Sequence, residues 1–159
     1  MKENCFEIRY RTASYEELGD KEKEVINAAC RATEKSYASY SRFFVGAAVW
    51  LENDVIVSGS NQENAAYPSG ICAERTALFY ANNQYPDQPV RILAIAARSE
   101  EGFTEAPVTP CGACRQVMLE TETRFGCPMR ILLYGKKKIL IIEGTGSLLP
   151  FSFGQDFLK

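Results

Sequence analysis

A β-hairpin followed by alternating helices and strands is the pattern that most constrains how this chain can fold. Residues 43–51 and 55–60 are rich in strand-forming side chains, and a short polar stretch at 52–54 separates them, which is typical of two antiparallel strands joined by a turn. Helical and strand-forming segments then alternate along the rest of the chain. This order predicts a mixed five-stranded sheet covered by helices on both faces, a three-layer α/β/α sandwich.

Helix-start residues and hydrophobic periodicity predict the remaining elements. The first helix is expected to begin at Ser14, because Glu17 completes a capping-box pattern three residues later, and to end near Tyr37. Pro110 favours the start of a later helix. Beyond the hairpin we predict helices over 72–82 and 111–122, and strands over 91–98, 130–134 and 138–143.

Length and composition indicate one globular domain. The chain has 159 residues, of which 46% are hydrophobic and 24% are charged, values typical of a soluble domain with its own core. The sequence contains no internal repeat and no linker-like segment. We therefore expect a single domain over 1–159, in which 1–13 form a short N-terminal arm.

Composition also excludes several classes of function. The chain has no histidine, so Ser-His-Asp and Cys-His catalysis are ruled out and a bound metal needs sulfur or oxygen ligands. The formal net charge of −2 argues against a nucleic-acid partner. The apolar stretches are too short for a membrane helix, and the first ten residues lack the apolar region of a signal peptide. We therefore expect a cytoplasmic protein without a membrane partner.

Cysteine spacing is the main clue to the chemistry. The chain has six cysteines, which are expected to be thiols or metal ligands where no secretory signal is found. Cys111 and Cys114 lie three residues apart at a predicted helix start, a motif that alone fits a redox pair, half of a zinc site or a structural role. Cys72 lies at another predicted helix start, so these three sulfurs could hold one metal ion. Cys5, Cys30 and Cys127 are expected to be structural thiols.

Glu74 lies two residues after Cys72, where a carboxylate could move protons beside the metal. Three protein ligands leave one position of a zinc ion open for a water molecule, whose pKa the metal can bring from about 15.7 towards about 7. A neighbouring Glu that is not a ligand could then act as a general acid and base. This arrangement predicts a catalytic zinc site.

These motifs together resemble the cytidine deaminase family, in particular its small homotetrameric branch with three cysteine ligands. The phrases Cys72-Ala73-Glu74 and Pro110-Cys111-Gly112-Ala113-Cys114 carry the resemblance most directly. The family's pattern is matched in order over the segments 43–48, 61–67, 72–77, 110–117, 148–150 and 152–154. The chain departs from that pattern at Phe44, where the family usually has proline.

The resemblance implies a role for each matching residue. It implies one Zn²⁺ per subunit, held by Cys72, Cys111 and Cys114, with Glu74 as the proton shuttle and Arg75 compensating the charge of the three thiolates. It implies base stacking by Phe43, sugar binding by Asn61 and Glu63, and an approach of the Thr109 carbonyl to the departing amine. The further substrate-binding positions that it implies are Ala65, Tyr67, Ala73 and Phe153, some of them completing composite sites across the subunits of a homotetramer.

The implied reaction is hydrolytic deamination of cytidine and 2′-deoxycytidine, with a small pyrimidine nucleoside as the partner and a place in pyrimidine salvage. Deamination of a related aminopyrimidine nucleoside such as blasticidin S is the main alternative. A non-catalytic zinc protein or a thiol-redox protein built on Cys111 and Cys114 are the alternatives from other classes. Phe43, Tyr67 and Phe153 also fit plain packing or subunit contacts.

Overall fold

The computed structural model describes residues 1–158, which form three α-helices and seven strands. None of the helices within that range is long and apolar enough to cross a membrane. In chain order the elements are β1 Arg11–Ala13, α1 Asp20–Ala32, β2 Phe44–Leu51, β3 Ile56–Ser60, α2 Ala73–Gln84, β4 Val90–Ser99, β5 Gly102–Phe103, α3 Gly112–Phe125, β6 Arg130–Leu133 and β7 Ile139–Glu143.

All seven strands belong to one mixed sheet. Its order is β1-β7-β6-β4-β2-β3, and β5 pairs with β4 outside this path. The β4–β6 pair is parallel, whereas the other pairs are antiparallel. The predicted five strands are all present, but the predicted count was wrong because β1 and β5, with three and two residues, are too short to show a period. β1 lies in the region expected to be an arm and pairs with Ile139–Ile141 of β7.

Helices cover both faces of this sheet, which confirms the three-layer architecture. Along β4, Leu93 and Ile95 face the core under α2 and α3, whereas Ala94 and Ala96 face the core under α1, as the alternation of a strand requires. The helix α1 packs so closely on β2 that a Cβ atom at Gly46 would clash with the carbonyl oxygen of Ala29. A side chain at that position would therefore separate the layers.

The first helix begins later than the capping-box pattern predicts. The Ser14 backbone N–H donates to the Glu17 carboxylate at 2.6 Å, but this bond closes a local turn. The helix begins at Asp20 after an extended Gly19, whose N–H donates to Glu22 at 2.9 Å. It ends at Ala32, and a short 3-10 helix follows. The prediction was wrong at both ends of this helix because the same local pattern also closes a turn outside a helix.

Phe44 begins β2, and it pairs with Arg98 of β4. The Arg98 guanidinium lies 4.6 Å from the centre of the Phe44 ring, a distance at which a cation is attracted to an aromatic face. Arg98 also donates to the Thr33 hydroxyl at 3.1 Å. The residue at which the chain departs from the family pattern therefore packs as a strand residue and leaves the neighbouring Phe43 at the strand entrance.

Candidate active site

The N-termini of α2 and α3 bring three cysteines together. Cys72 immediately precedes α2, Cys111 immediately precedes α3, and Cys114 lies in the first turn of α3. Their three Sγ atoms lie within 4.8 Å of one another, and the Cys72 and Cys111 Sγ atoms are 3.8 Å apart. Two positive helix ends therefore meet at one group of sulfurs, which favours thiolates there.

Arg75 and the neighbouring thiols stabilise negative charge on Cys72. Hydrogen bonds from Cys114 first, and then from Arg75 and Cys111, lower the pKa of Cys72 to about 5 although its partial burial acts in the other direction. The Arg75 guanidinium lies 3.8 Å from the Cys72 Sγ atom. The pKa of the buried Cys114 is raised, because its thiol is hydrogen-bonded to Cys72 and has little contact with water.

The cysteine cluster fits zinc by its donors and its spacing. Zinc bonds to thiolates at about 2.3 Å, so two sulfurs of a tetrahedral site lie about 3.8 Å apart, which is the separation of the Cys72 and Cys111 sulfurs. Cys72 is half-buried, Cys111 exposed and Cys114 buried. The cluster therefore opens towards solvent on the Cys111 side and is closed behind by the α3 core. Zinc is the cofactor to which this donor set is suited.

Glu74 is a buried carboxyl group in the first turn of α2. Only 4% of its surface is exposed, and burial, followed by the charge of Cys72, raises its pKa. It lines a cavity of about 300 Å³ together with Cys72 and Cys111. A carboxyl group whose pKa is raised by burial can both accept and return a proton.

The same cavity holds most of the predicted substrate-binding residues. Phe43 lies immediately before β2, Asn61 and Glu63 follow β3, and apolar side chains complete the walls. Ala73 and Thr109 also line it. The structure thus brings together a half-buried aromatic ring, two polar side chains and a buried proton carrier in one space. Its full lining is Ser41, Phe43, Val45, Asn61, Glu63, Cys72, Ala73, Glu74, Ile95, Val108, Thr109 and Cys111.

Asn61 uses its amide to hold the strand that begins beside Phe43. Its Nδ2 donates to the Phe43 carbonyl at 3.0 Å, and its Oδ1 accepts from the Val45 backbone N–H at 2.8 Å. Each amide atom keeps further hydrogen-bonding capacity. Asn61 can therefore fix the position of Phe43 and still face a ligand in the cavity.

Three of the predicted substrate-binding residues lie outside this cavity. Ala65 and Tyr67 lie on the exposed segment after β3, and the Tyr67 ring packs edge-on against Tyr40 at 6.3 Å between centroids. Phe153 is exposed near the C-terminus, where its ring stacks on Phe157 at 5.6 Å and its carbonyl accepts from Gln116 at 2.9 Å. Their part in substrate binding stays a prediction.

Two residues that the sequence reasoning did not single out contribute to the site. Ser41 lines the cavity and contacts Glu63 through its backbone N–H. Arg115 of α3 donates to the carbonyls of Pro110 and Leu148, both at 2.8 Å, and so ties the loop before Cys111 to the C-terminal segment. A serine in a polar loop and an arginine on a helix form no distinctive sequence motif. Their roles are therefore seen only in the contacts that the structure shows.

The other three cysteines lie apart from this cluster. Cys30 packs against the core under α1, and burial raises its pKa to about 11. Cys127 lies 2.8 Å from the Arg91 guanidinium, and Cys5 is exposed near the N-terminus. The cluster of three ligand atoms does not include them.

A family profile and curated relatives match most of the chain. The profile of the cytidine and deoxycytidylate deaminase zinc-binding region matches residues 20–125. A cytidine deaminase of Halalkalibacterium halodurans is 44% identical over 131 residues, which cover 81% of this chain and 91% of that protein. A cytidine deaminase of Sporosarcina psychrophila is 46% identical over 137 residues, which cover 86% of this chain and 94% of that protein.

Solved structures of similar proteins have the same fold. The crystal structure of cytidine deaminase from Burkholderia pseudomallei superposes with a TM-score of 0.71 at 35% identity, covering 86% of this chain and all of that one (100%). The cytidine deaminase of Mycobacterium tuberculosis superposes with a TM-score of 0.65 at 28% identity, covering 86% of this chain and 99% of that one. The match therefore extends beyond the zinc-binding region to the sheet and helices that hold it.

Proposed function

The chain belongs to the cytidine and deoxycytidylate deaminase family, and from this we propose that it hydrolyses the C4 amino group of cytidine and 2′-deoxycytidine. The products are uridine or 2′-deoxyuridine and ammonia. One observation carries this proposal. The buried carboxyl group of Glu74 and the Cys72–Cys111 edge of the cysteine cluster line one cavity, so a proton carrier and a metal site face the same ligand.

Cys72, Cys111 and Cys114 would hold the zinc ion. When bound, zinc supplies a Lewis acid that lowers the pKa of a water molecule and so makes a nucleophile available at neutral pH. The three thiolates carry one negative charge more than the ion neutralises, and Arg75 beside Cys72 offsets it. The positive ends of the helix dipoles at the N-termini of α2 and α3 also stabilise this negative charge.

Glu74 would move protons between the attacking water and the base. It accepts a proton from the water and donates it to N3 of the pyrimidine, which makes C4 electrophilic. The hydroxide left from the water forms a bond to C4. Glu74 would then take the proton of this new hydroxyl group and pass it to the amino nitrogen, so that the C4–N bond breaks, ammonia leaves and the C4 carbonyl remains. Burial favours the neutral form of the Glu74 carboxyl group, which suits a residue that must hold a proton during the reaction.

Phe43, Asn61 and Glu63 would orient the nucleoside. A half-buried aromatic ring at the cavity suits a planar pyrimidine. The amide of Asn61 and the carboxylate of Glu63 suit the sugar hydroxyls, and a carboxylate there disfavours a phosphate. Ala73 and Thr109 complete the wall beside the reacting centre, where the Thr109 carbonyl would accept from the amine.

We propose a homotetramer with composite active sites. The surface supports this, because large aromatic side chains remain exposed on the single chain, including the predicted site residues Tyr67 and Phe153. Phe6 adds to this surface by packing edge-on against Phe151 at 5.3 Å. Composite sites in a closed assembly require several interfaces, which 222 symmetry provides. The exposed aromatic residues are Phe6, Tyr10, Tyr37, Tyr40, Tyr67, Phe79, Tyr80, Phe151, Phe153 and Phe157.

We also place the protein in the cytoplasm and in pyrimidine salvage. All six cysteines are free thiols in the structure, and free thiols persist in a reducing compartment. The proposed reaction converts a free cytosine nucleoside into a free uracil nucleoside without consuming a nucleotide. The reuse of free nucleosides is what pyrimidine salvage means.

Replacement of Glu74 tests the proposal. The zinc-loaded protein is expected to convert cytidine to uridine, followed by the change in absorbance. Glu74→Gln should lower kcat by about 10³-fold while zinc content is retained, because general acid–base catalysis contributes about 10²–10⁴-fold. Glu120→Gln, an exposed change on α3, is the matched control and should keep full activity. Unchanged turnover in Glu74→Gln, or none in the zinc-loaded unsubstituted protein, would contradict the proposal.

A further inference from the structure

Arg115 joins the loop before the cysteine motif to the C-terminal segment. It follows Cys114 on α3 and is half-buried. Its Nε atom donates to the Pro110 carbonyl and its Nη1 atom donates to the Leu148 carbonyl, both at 2.8 Å. A guanidinium group presents its N–H donors in a rigid, planar fork. One side chain therefore holds these two carbonyls in a fixed relation to each other.

The loop that accepts the first of these bonds forms one wall of the cavity. Thr109 and Cys111 line that cavity, and Pro110 is buried between them. Within the part of the chain that the structure describes, the bond from Arg115 is the only hydrogen bond to the backbone of residues 106–110. The hydrogen bonding of this loop therefore depends on Arg115.

The C-terminal segment that accepts the second bond is itself anchored to α3. The Leu148 N–H donates to the Thr145 carbonyl at 2.8 Å, and the Leu148 side chain packs against the core under α2 and α3. Thr145 is fully buried, and its backbone N–H and its hydroxyl donate to the Glu122 carboxylate of α3. Leu148 is therefore a fixed point against which Arg115 can hold the loop.

We infer that Arg115 is a positioning residue: it braces the loop of Cys111 against the C-terminal segment and so fixes one metal ligand and one wall of the cavity. Cys111 is the exposed member of the cysteine cluster, so packing holds it least. A residue that orients a metal ligand through hydrogen bonds changes the affinity for the metal without touching it. The inference rests on the proposed function where it concerns substrate, because only that function places Thr109 beside the reacting centre.

Arg115→Met tests the inference through the release of zinc. Methionine is a long side chain that donates no hydrogen bond, so the loop loses its brace while α3 keeps most of the side-chain bulk. We expect zinc to pass to an excess of a chelator about tenfold faster than from the unsubstituted protein, the lower end of the effect of losing a partner of a metal ligand. The absorbance of the chelator follows the release, and no turnover is needed.

Kinetics with cytidine give a second measurement on the same variant. With zinc in excess, kcat should fall about tenfold, because Thr109 is no longer held at a fixed distance from the reacting atoms. The inhibition constant of uridine should stay within about twofold, because uridine has no amino group from which the Thr109 carbonyl could accept. A general loss of structure would weaken the binding of uridine as well.

Arg124→Met is the matched control. Arg124 lies on the same helix and also donates to a proline carbonyl, that of Pro86 at 2.6 Å, but it does not line the cavity that contains Glu74. This variant should lose stability in urea as Arg115→Met does, and it should release zinc at the rate of the unsubstituted protein.

Arg115→Lys separates the fork from its charge. Lysine keeps the positive charge but has one compact donor group on a flexible stem, so its rate of zinc release should lie between those of Arg115→Met and the unsubstituted protein. If Arg115→Met does not fold, the faster release from Arg115→Lys carries the test.

Three outcomes would overturn the inference: unchanged zinc release from Arg115→Met, equally fast release from Arg124→Met, or full retention of zinc by Arg115→Lys. Failure of the proposed function looks different. The unsubstituted zinc-loaded protein would then not convert cytidine, while the rates of zinc release would still decide whether Arg115 braces the loop.

Discussion

At the scale of single residues, Cys30 and Cys72 show how far the surroundings shift one side-chain type. Burial against the α1 core raises the pKa of Cys30 to about 11, and only Arg31 acts weakly in the other direction. Hydrogen bonds from Cys114, Arg75 and Cys111 lower the pKa of Cys72 to about 5. The first thiol is thus kept neutral at physiological pH, whereas the second is ready to bind a cation as a thiolate.

The raised pKa of Cys30 predicts a pH-dependent reactivity. Only the thiolate reacts with iodoacetamide, so Cys30 should be labelled slowly at pH 8, and its rate should rise with pH until the pH passes about 11. Cys5, which is exposed, is the control and should be labelled before Cys30. Peptide mapping by mass spectrometry gives both rates from one sample. Labelling of Cys30 as fast as Cys5 at pH 8 would show that burial does not hold its proton.

At the scale of elements, the contact of α2 with β3 determines where the site is built. This helix carries Glu74 in its first turn and begins immediately after Cys72. It packs on β3 at Gly59, where a Cβ atom would lie 2.6 Å from the Ala77 nitrogen and 2.9 Å from the Ala73 carbonyl oxygen. The helix α2 can therefore lie this close to β3 only because Gly59 has no side chain.

Gly59→Ala tests this contact. The added methyl group has to push α2 away from β3, which should lower the free energy of unfolding by about 1–3 kcal/mol and weaken zinc retention by moving Cys72 relative to Cys111. Urea unfolding and metal analysis after dialysis measure the two effects. Gly146→Ala is the matched control, because a Cβ atom there would meet nothing within 4 Å. Equal stability of the two variants would contradict the close packing of α2.

At the scale of the whole molecule, the predicted site residues are divided between the cavity and the surface. Phe43, Asn61 and Glu63 line the cavity with Glu74, whereas Phe153 is 59% exposed and lies outside it. In a single chain, some of the predicted substrate-binding residues therefore do not reach the cavity. Association of several chains would bring surface residues of one subunit to the cavity of another.

Co-expression of two inactive variants tests the composite site. In mixed assemblies of Glu74→Gln and Phe153→Ala subunits, a cavity with an intact Glu74 can receive Phe153 from its neighbour, so activity should exceed that of either variant alone. Light scattering should give four times the chain mass of 17.8 kDa. Glu74→Gln with Cys114→Ala is the control, because both changes affect the same cluster and no cavity is restored. A monomeric mass, or equal activity of the two mixtures, would contradict composite sites.

The sequence by itself determined the features that depend on neighbouring residues. The hairpin, the three helices and the strands around them follow from local periodicity and turn residues, and the structure has them within a few residues except for α1. The spacing of Cys111 and Cys114 and the position of Glu74 after Cys72 are equally local. Each of these predictions rests on contacts within a few positions of the chain, where propensity and spacing decide the outcome.

The family resemblance implied that Cys72, Cys111 and Cys114 share one metal ion, and the structure confirms that they lie together. Only the tertiary structure decided how closely distant residues approach one another. Cys72 and Cys111 are 39 positions apart in the chain, and their sulfurs lie 3.8 Å apart because α2 and α3 start at the same place on the sheet. The contact of Ser41 with Glu63, across 22 positions, likewise depends on a turn that packs against the segment after β3. The short strands β1 and β5 form only because longer strands offer them an edge. Such contacts arise from packing over the whole chain, and no local pattern specifies them.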